Sequence, residues 1–369
     1  MVKAFSNLTR LGLVLLLPLS LTAADRWKIQ FFYDKSGSTL SIQDLACPSI
    51  TRCVAVGVIE DRKGHSKGTV VKSDDGGKNW NLSDFDEQPI SLFFLNDALG
   101  WMATERGVWS TVDGARTWKK VDGLKKGILE VYFLNPQHGY AIGFPKAVYE
   151  TGDGGKHWSK LDAAARPPTN PPDTVYECIA FQGEHGIIAG SAKPAGTDET
   201  PAWLDPSEAR LHRERQSTLV VLETKDGGAT WESSASSFYG RMSQVVMSKD
   251  GTALALFEYH NYYSVPSRLY KVKFQTSMDA VFAERDRAVT DVVQLPDGST
   301  VLAAVQPPGA TNQVPIPGKL RMLRSNDLTT WNEVPADYKA VAQRAMLAAA
   351  DSEHVWVATD TGMILALQK

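Results

Sequence analysis

The chain has 369 residues, a formal net charge of −3 and three cysteines. Its charged residues are scattered without long blocks of one sign, which argues against charge-driven binding to nucleic acid or to an anionic membrane. Three cysteines are too few for a disulfide scaffold, and the length suits two domains or one large repetitive one.

The chain opens with MVKAFSNLTR, carrying Lys3 and Arg10, followed by the apolar run LGLVLLLPLSL and the small residues Thr22, Ala23 and Ala24 before Asp25. These are the three parts of a secretory signal peptide, and the run is short of the ~20 apolar residues that span a bilayer. Residues 1–24 are therefore expected to be cleaved, leaving 25–369 as a single soluble domain, periplasmic or secreted, with no stable membrane insertion. No cysteine lies near the cleavage point, which argues against a lipid anchor there. Without Lys3 and Arg10 the net charge is −5. In an oxidising compartment Cys47 and Cys53, at the ends of CPSITRC, are favoured as a disulfide over two free thiols, whereas Cys178 in VYECIAF reads as a buried core thiol.

A repeat follows. SDDGGKNW (73–80), TVDGARTW (111–118), TGDGGKHW (151–158), TKDGGATW (224–231) and the shorter SNDLTTW (325–331) share one pattern. Trp80, Trp118 and Trp158 are 38 and 40 residues apart, close to the ~40–50 residues of a four-stranded propeller blade. The segments between them divide into four strands each: SLFFL or EVYFL, then WMAT or YAIG, VWST or VYET, and WKKV or WSKL. The same template fits a first unit from Leu40 to Trp80, a fourth ending in LVVLETKDGGATW, a fifth without the motif (QVVMSKDG, TALALFEYH, RLYKVKF) and a sixth ending in RMLRSNDLTTW. The last unit, MLAAADSEHVWVATDTGMILAL, stops after its third strand, and WKIQFFY, beginning at Trp27, has the form of the missing fourth. The expectation is an all-β, seven-bladed β-propeller of four-stranded blades whose last blade is closed by the N-terminal strand, removing two open sheet edges. Six or eight blades are the alternatives.

The motif has a mechanical purpose. Asp75, Asp113, Asp153 and Asp226 are expected to accept hydrogen bonds from backbone N–H groups one and two residues on, with the hydroxyls of Ser73, Thr111, Thr151 and Thr224 adding a second local bond. Gly77, Gly155 and Gly228 permit positive φ, and Trp80, Trp118, Trp158 and Trp231 supply apolar surface to the next strand. A Ca²⁺ loop alternates several oxygen donors, whereas each motif here offers one required Asp and then an apolar anchor, so no metal and no cofactor are expected.

S-x-D-x-G-x-x-W at the hairpin between third and fourth strands resembles the Asp-box, or BNR repeat, of sialidases and sortilin-type receptors. The fuller pattern FLN…GW-A…G-V--T-DGG-TW with an N-terminal Trp strand is more similar to the photosystem II assembly-factor family and its relatives in non-photosynthetic bacteria. The resemblance covers essentially the whole mature chain, and it implies a fold more than a function. In the photosystem family an arginine patch contacts a partner; the resemblance does not assign that patch to particular residues here. Sialidase activity would need an Arg-Ile-Pro or Arg-Leu-Pro near the N-terminus, and neither occurs. No G-x-S-x-G elbow, H-E-x-x-H, C-x-x-C or phosphate loop is expected either.

The Asp-box turns must share a face with the first-to-second-strand loops. The long insertions all fall on second-to-third loops or between blades, so the opposite face is the decorated one. There the fourth-unit tract offers Trp203, Arg210, Arg213 and Arg215, and the fifth offers Tyr259, Tyr262 and Tyr263, residue types that interface hot spots favour. The competing interpretation is a short solvated helix and loose Pro-rich excursions. The favoured function is an exported, non-catalytic, monomeric propeller binding a protein or peptide partner, such as an assembly or stability factor for an envelope complex. The alternative is a carbohydrate-active propeller, which would place carboxylates ~5–10 Å apart in a cleft on the decorated face.

Overall fold

The computed structural model describes residues 25–193, 216–259, 265–273, 276–307, 317–337 and 339–368. Seven antiparallel sheets follow one another along the chain, each a meander of four strands. Blade 1 comprises Ser38–Ala46, Cys53–Asp61, Ser66–Ser73 and Asn81–Phe85. Blades 2 to 6 begin at Pro89–Phe94, Ile128–Phe133, Thr174–Gln182, Arg241–Met247 and Ala288–Gln294. Blade 7 is Ala345–Ala349, Val355–Thr359 and Met363–Gln368, completed by Arg26–Phe32.

The expected ring closure is present. Trp27 pairs with Leu367 in antiparallel register and is buried, while its backbone bonds Pro335 and Asp337 of blade 6. The fifth unit, which lacks the motif, still forms a full four-stranded sheet. Blade 6 gains a short extra strand, Val341–Ala342, on its third strand.

Second strands such as GWMAT, GYAIG and VWVAT are buried at every residue, because each blade is covered on both faces by its neighbours. That explains their unbroken apolar runs. The fourth strands of blades 1 to 3, at the rim, are largely exposed. Seven hydrophobic clusters form the core, one at each blade interface. Between blades 2 and 3, for instance, Trp101 stacks on Phe133 with ring centroids 3.7 Å apart.

The Asp-box turns differ from expectation in one respect. In the four full-length boxes the Asp carboxylate bonds across the turn, not to the next two residues: Asp113 Oδ1 accepts the N–H of Arg116 and Thr117, three and four residues on, at 3.0 and 2.9 Å, whereas in the shorter fifth box Asp327 accepts those two and three residues on. The near side is served by the hydroxyl. Thr111 Oγ accepts the N–H of Asp113 and Ala115 and donates to Asp113 Oδ1. The turn is long enough to present its far arm to the carboxylate, so one hydroxyl and one carboxylate together satisfy both arms. Asp75 and Asp226 are drawn down to about 2 by these bonds, first by those from Asn79 and Thr230. Trp80 and Trp158 close the turn by donating Nε1–H to the carbonyls of Gly77 and Gly155.

Where the box glycine is replaced the backbone still enters the left-handed region: Ala115 has φ 62° and Leu328 φ 61°. Ala115→Gly should therefore raise the unfolding free energy by about 0.5–1 kcal/mol, the cost of holding a Cβ in that conformation, less the greater freedom of unfolded Gly. Denaturant melts will show this as a higher midpoint at unchanged slope.

First strands of neighbouring blades touch all the way round the ring and so line the axis. In blades 1 to 6 each carries a one-residue bulge, immediately followed by Asp44, Ser91, Glu130, Cys178, Gln244 and Asp291. Four of these clamp the next blade. Asp44 accepts the N–H of Leu92 at 2.6 Å, Asp291 that of Leu347 at 2.7 Å, Gln244 that of Val292 at 2.9 Å, and Glu130 that of Ile179. A bulge re-aims a side chain, and here it turns polar groups toward the neighbouring backbone.

Candidate binding face

The Asp-box turns are tied to the first-to-second loops. The N–H groups of Gly76, Gly114, Gly154 and Gly227 donate to the carbonyls of Thr51, Ala98, Gln137 and Glu184 at 2.8–3.0 Å. These two loop classes therefore form one face, and the second-to-third hairpins and inter-blade segments form the other. On the box face Cys47 and Cys53 are joined as a disulfide across the first of these loops. Cys178 is a free, buried thiol whose ionisation burial opposes.

Trp203, Arg210, Arg213, Arg215, Tyr262 and Tyr263 lie outside the described residues. Tyr259 lies on the decorated face, at the blade 5 hairpin, where its N–H bonds Pro266 O and its hydroxyl is 3.4 Å from that of Tyr270. Arg268 reaches the same Tyr270 hydroxyl. Nearby, Arg241 pairs with Glu177 and Glu258.

The same face holds a cleft of about 530 Å³ around the second-to-third hairpin of blade 3, bounded by residues 123–126 on one side and 161–171 on the other. Its apolar wall includes Ile128, Phe144 and Pro145, and Phe144 is 46% exposed despite its size. Lys125, Lys126 and Lys160 line it, are exposed, and make no ion pair among the described residues; Asp162 is the one carboxylate in the lining. A fourth lysine builds the wall. Lys146, at φ 45°, spends its three N–H donors on the carbonyls of Ala165, Pro167 and Thr169, 2.7–3.3 Å away, folding segment 161–173 over the hairpin. Partial burial lowers its pKa, and no carboxylate offsets that. Lys146→Met should loosen this segment: faster hydrogen exchange over 161–173 with the Asp-box turns unchanged is the expected result.

The cleft escaped the sequence reasoning, although its signal was present. GLKKG falls between two blades and FPK at a second-to-third turn, so both belong to the decorated face, but they are short and the longer insertions drew attention instead. A second oversight is Gly64-His65-Ser66-Lys67-Gly68, which carries G-x-S-x-G spacing. It opens the third strand of blade 1 within a hairpin, not a strand-to-helix turn, and so lacks the context of a nucleophile elbow.

The comparisons with known proteins bear on these loops. Residues 110–203 match the family described as photosynthesis system II assembly factor YCF48, and this stretch contains most of the cleft. The chain is an Asp-box propeller similar to the photosystem II assembly factors. A curated relative, the photosystem II assembly lipoprotein Ycf48 of Synechococcus sp. (strain CC9902), is 29% identical over 169 residues. That match takes in 40% of this chain and 49% of the relative, so the chain spans about half the length of the relative it matches. Among solved structures, YCF48 bound to D1 peptide superposes with a TM-score of 0.59 at 16% identity, covering 93% of this chain and 95% of that one. YCF48 from Cyanidioschyzon merolae gives a TM-score of 0.56 at 16% identity, with 94% and 99% covered. At such identities the superpositions speak for the fold. No helix among the described residues is long and apolar enough to cross a membrane.

Proposed function

We propose that the chain is an exported, non-catalytic propeller, residues 25–369, that captures a carboxylate-bearing, partly apolar peptide segment of a partner protein and serves as an assembly or stability factor for an envelope complex. The observation that carries this is the cleft at the blade 3 hairpin: an exposed Phe144 beside three lysines without acidic partners among the described residues. Aromatic surface rimmed by one sign of charge favours an occupant of the opposite sign with an apolar anchor. A fold neighbour that carries a peptide supports peptide capture. The leader-like N-terminus and the description of a relative as a lipoprotein support export. An acid/base pair would need two carboxylates facing one another in the open cleft, and the lining holds one, Asp162.

The test uses fluorescein-labelled peptides, one rich in Asp, Glu and Leu and one with Asn and Gln in place of the acids. The acidic peptide is expected to bind more tightly, to weaken as salt is raised, and to lose about tenfold or more in affinity in the Lys125→Glu, Lys126→Glu, Lys160→Glu variant. Equal binding of the two peptides, or no response to the triple reversal, would overturn the assignment.

A further inference from the structure

The second large cavity, about 540 Å³, is on the opposite side of the molecule. Its lining runs through the C-terminal ends of the first strands of blades 2 to 6, from Phe93 to Leu295, so it is the mouth of the axial channel on the Asp-box face. We propose that this mouth is a binding site for a linear alkylammonium group, the side chain of a lysine or a free aliphatic diamine, inserted along the propeller axis.

The layering of the channel supports this class of ligand. Phe93 and Tyr132 stand two positions after the bulge column, on the same side of their strands and one step nearer the opening, about 6–7 Å away along the strand. Their rings lie 4.8 Å apart and, with Val246, form an apolar collar whose aromatic faces attract a cation. Below the collar is Glu130, which accepts one backbone bond from Ile179 and lines the cavity with the rest of its carboxyl group. Asp44 and Asp291 stand at the same level, close enough that Asp44 acts on Glu130 and Asp291 on Asp44. The Ser243 hydroxyl in the cavity wall is buried with no hydrogen-bond partner among the described residues, an acceptor that an ammonium would satisfy. A lysine-like stem would cover the collar while its head reaches the Glu130 carboxylate, the division of labour such side chains adopt at apolar surfaces. A carboxylate or phosphate ligand would meet like charges at the floor.

Other charges face this belt. Arg344 acts on Asp44 and Asp291, Glu177 and Arg241 act on neighbouring Cys178, and Lys249 lies at the rim. Burial holds Glu130 and Asp44 at about 8 and about 7. Both are thus largely neutral near pH 6 and largely ionised near pH 8.5, while an alkylammonium, with a pKa of ~10, keeps its proton. Binding should strengthen with pH.

Isothermal titration of the mature chain with 1,5-diaminopentane, 1-pentylamine, 1-pentanol and an Nα-acetyl-lysine amide is the test. The amines are expected to bind about tenfold more tightly at pH 8.5 than at pH 6, with pentanol failing to compete. Glu130→Gln, which retains an acceptor for Ile179, should remove most of the affinity and the part of the pH dependence above pH 7, leaving that of Asp44. Should that variant not fold, Ser243→Ala carries the same test with a loss of about threefold to tenfold. Preference for the lysine amide over the diamine would indicate a partner's side chain as the natural occupant, and the reverse a free amine. Pentanol binding as well as pentylamine, no binding at either pH, or unchanged affinity in the variants would overturn the proposal. Because the lysines of the opposite face play no part here, failure of this site and failure of the peptide cleft are separable.

Discussion

Asp291→Ala is expected to lower the unfolding free energy by about 2–4 kcal/mol near pH 7, read from urea melts. The carboxylate sits at the junction of three blades' inner strands. One oxygen takes the N–H of Leu347 in blade 7; the other takes the N–H of Val292 and the side-chain amide of Gln244, which itself accepts from Val292 and donates to its carbonyl. Truncation leaves the Leu347 N–H without its acceptor, at about 1–3 kcal/mol for a buried group, and takes one of two acceptors from the Val292 N–H and from the Gln244 amide, which keep their bonds to each other. Against this, the variant no longer holds a carboxylate in a poorly hydrated channel, and channel water can reach some of the freed donors, which is why the net figure stays below the sum. Gln244→Ala should be strongly non-additive with Asp291→Ala, because the two residues share Val292. Ser91→Ala, at the same column in blade 2, should change stability by less than about 0.5 kcal/mol. A loss in Asp291→Ala no larger than that of Ser91→Ala would remove the clamp from the account of the fold.

The second large effect concerns pH. Stability should fall by at least about 2 kcal/mol as pH rises from about 5 to about 8.5, and Glu130→Gln should flatten part of the slope. Burial raises Asp44 to about 7, Glu130 to about 8 and Asp291 to about 6, from ordinary values of 3.8, 4.5 and 3.8, with repulsion from Asp291 adding at Asp44 and repulsion from Asp44 adding at Glu130. Between those limits the folded chain binds more protons than the unfolded one. The slope of unfolding free energy with pH is then negative, so the contribution is fully present below the unfolded values and lost as pH passes the folded ones. The Asp-box carboxylates act with the opposite sign. Their folded values lie below the ordinary range, so their support is present above about pH 4 and disappears only in stronger acid. Maximum stability is thus expected on the acid side of neutrality. Melts that are flat from pH 5 to 8.5, or that improve with pH, would contradict the raised channel carboxylates.

Much of the architecture is legible in the chain because the repeat is a local code. Each box closes its hydroxyl and carboxylate bonds within eight residues, and the spacing of Trp80, Trp118 and Trp158 gives the blade period, so a single sequence suffices to read them. Trp27 could be assigned to the last blade for the same reason: a fourth-strand pattern without its unit had only one place to go. The belt was less visible. Asp44, Glu130, Gln244 and Asp291 each precede an aliphatic residue in a first strand, a column that can be seen once the strands are aligned, yet nothing local says that their partners are one blade away.

The sequence alone determined the strand pattern, the box turns, the closing strand and the division of loops between two faces, since these follow from period, turn chemistry and connectivity. Only the tertiary structure decided where function has room. Phe144 and the lysines at 125, 126 and 160 come from a hairpin, an inter-blade segment and a rim strand that meet on one face, where Lys146 holds segment 161–173 against the hairpin through three carbonyls. Glu130, Asp44 and Asp291 are far apart in the chain and become one electrostatic group because the ring brings every first strand to the axis. Charge and burial of that kind depend on distances across blades, which local residue patterns do not encode.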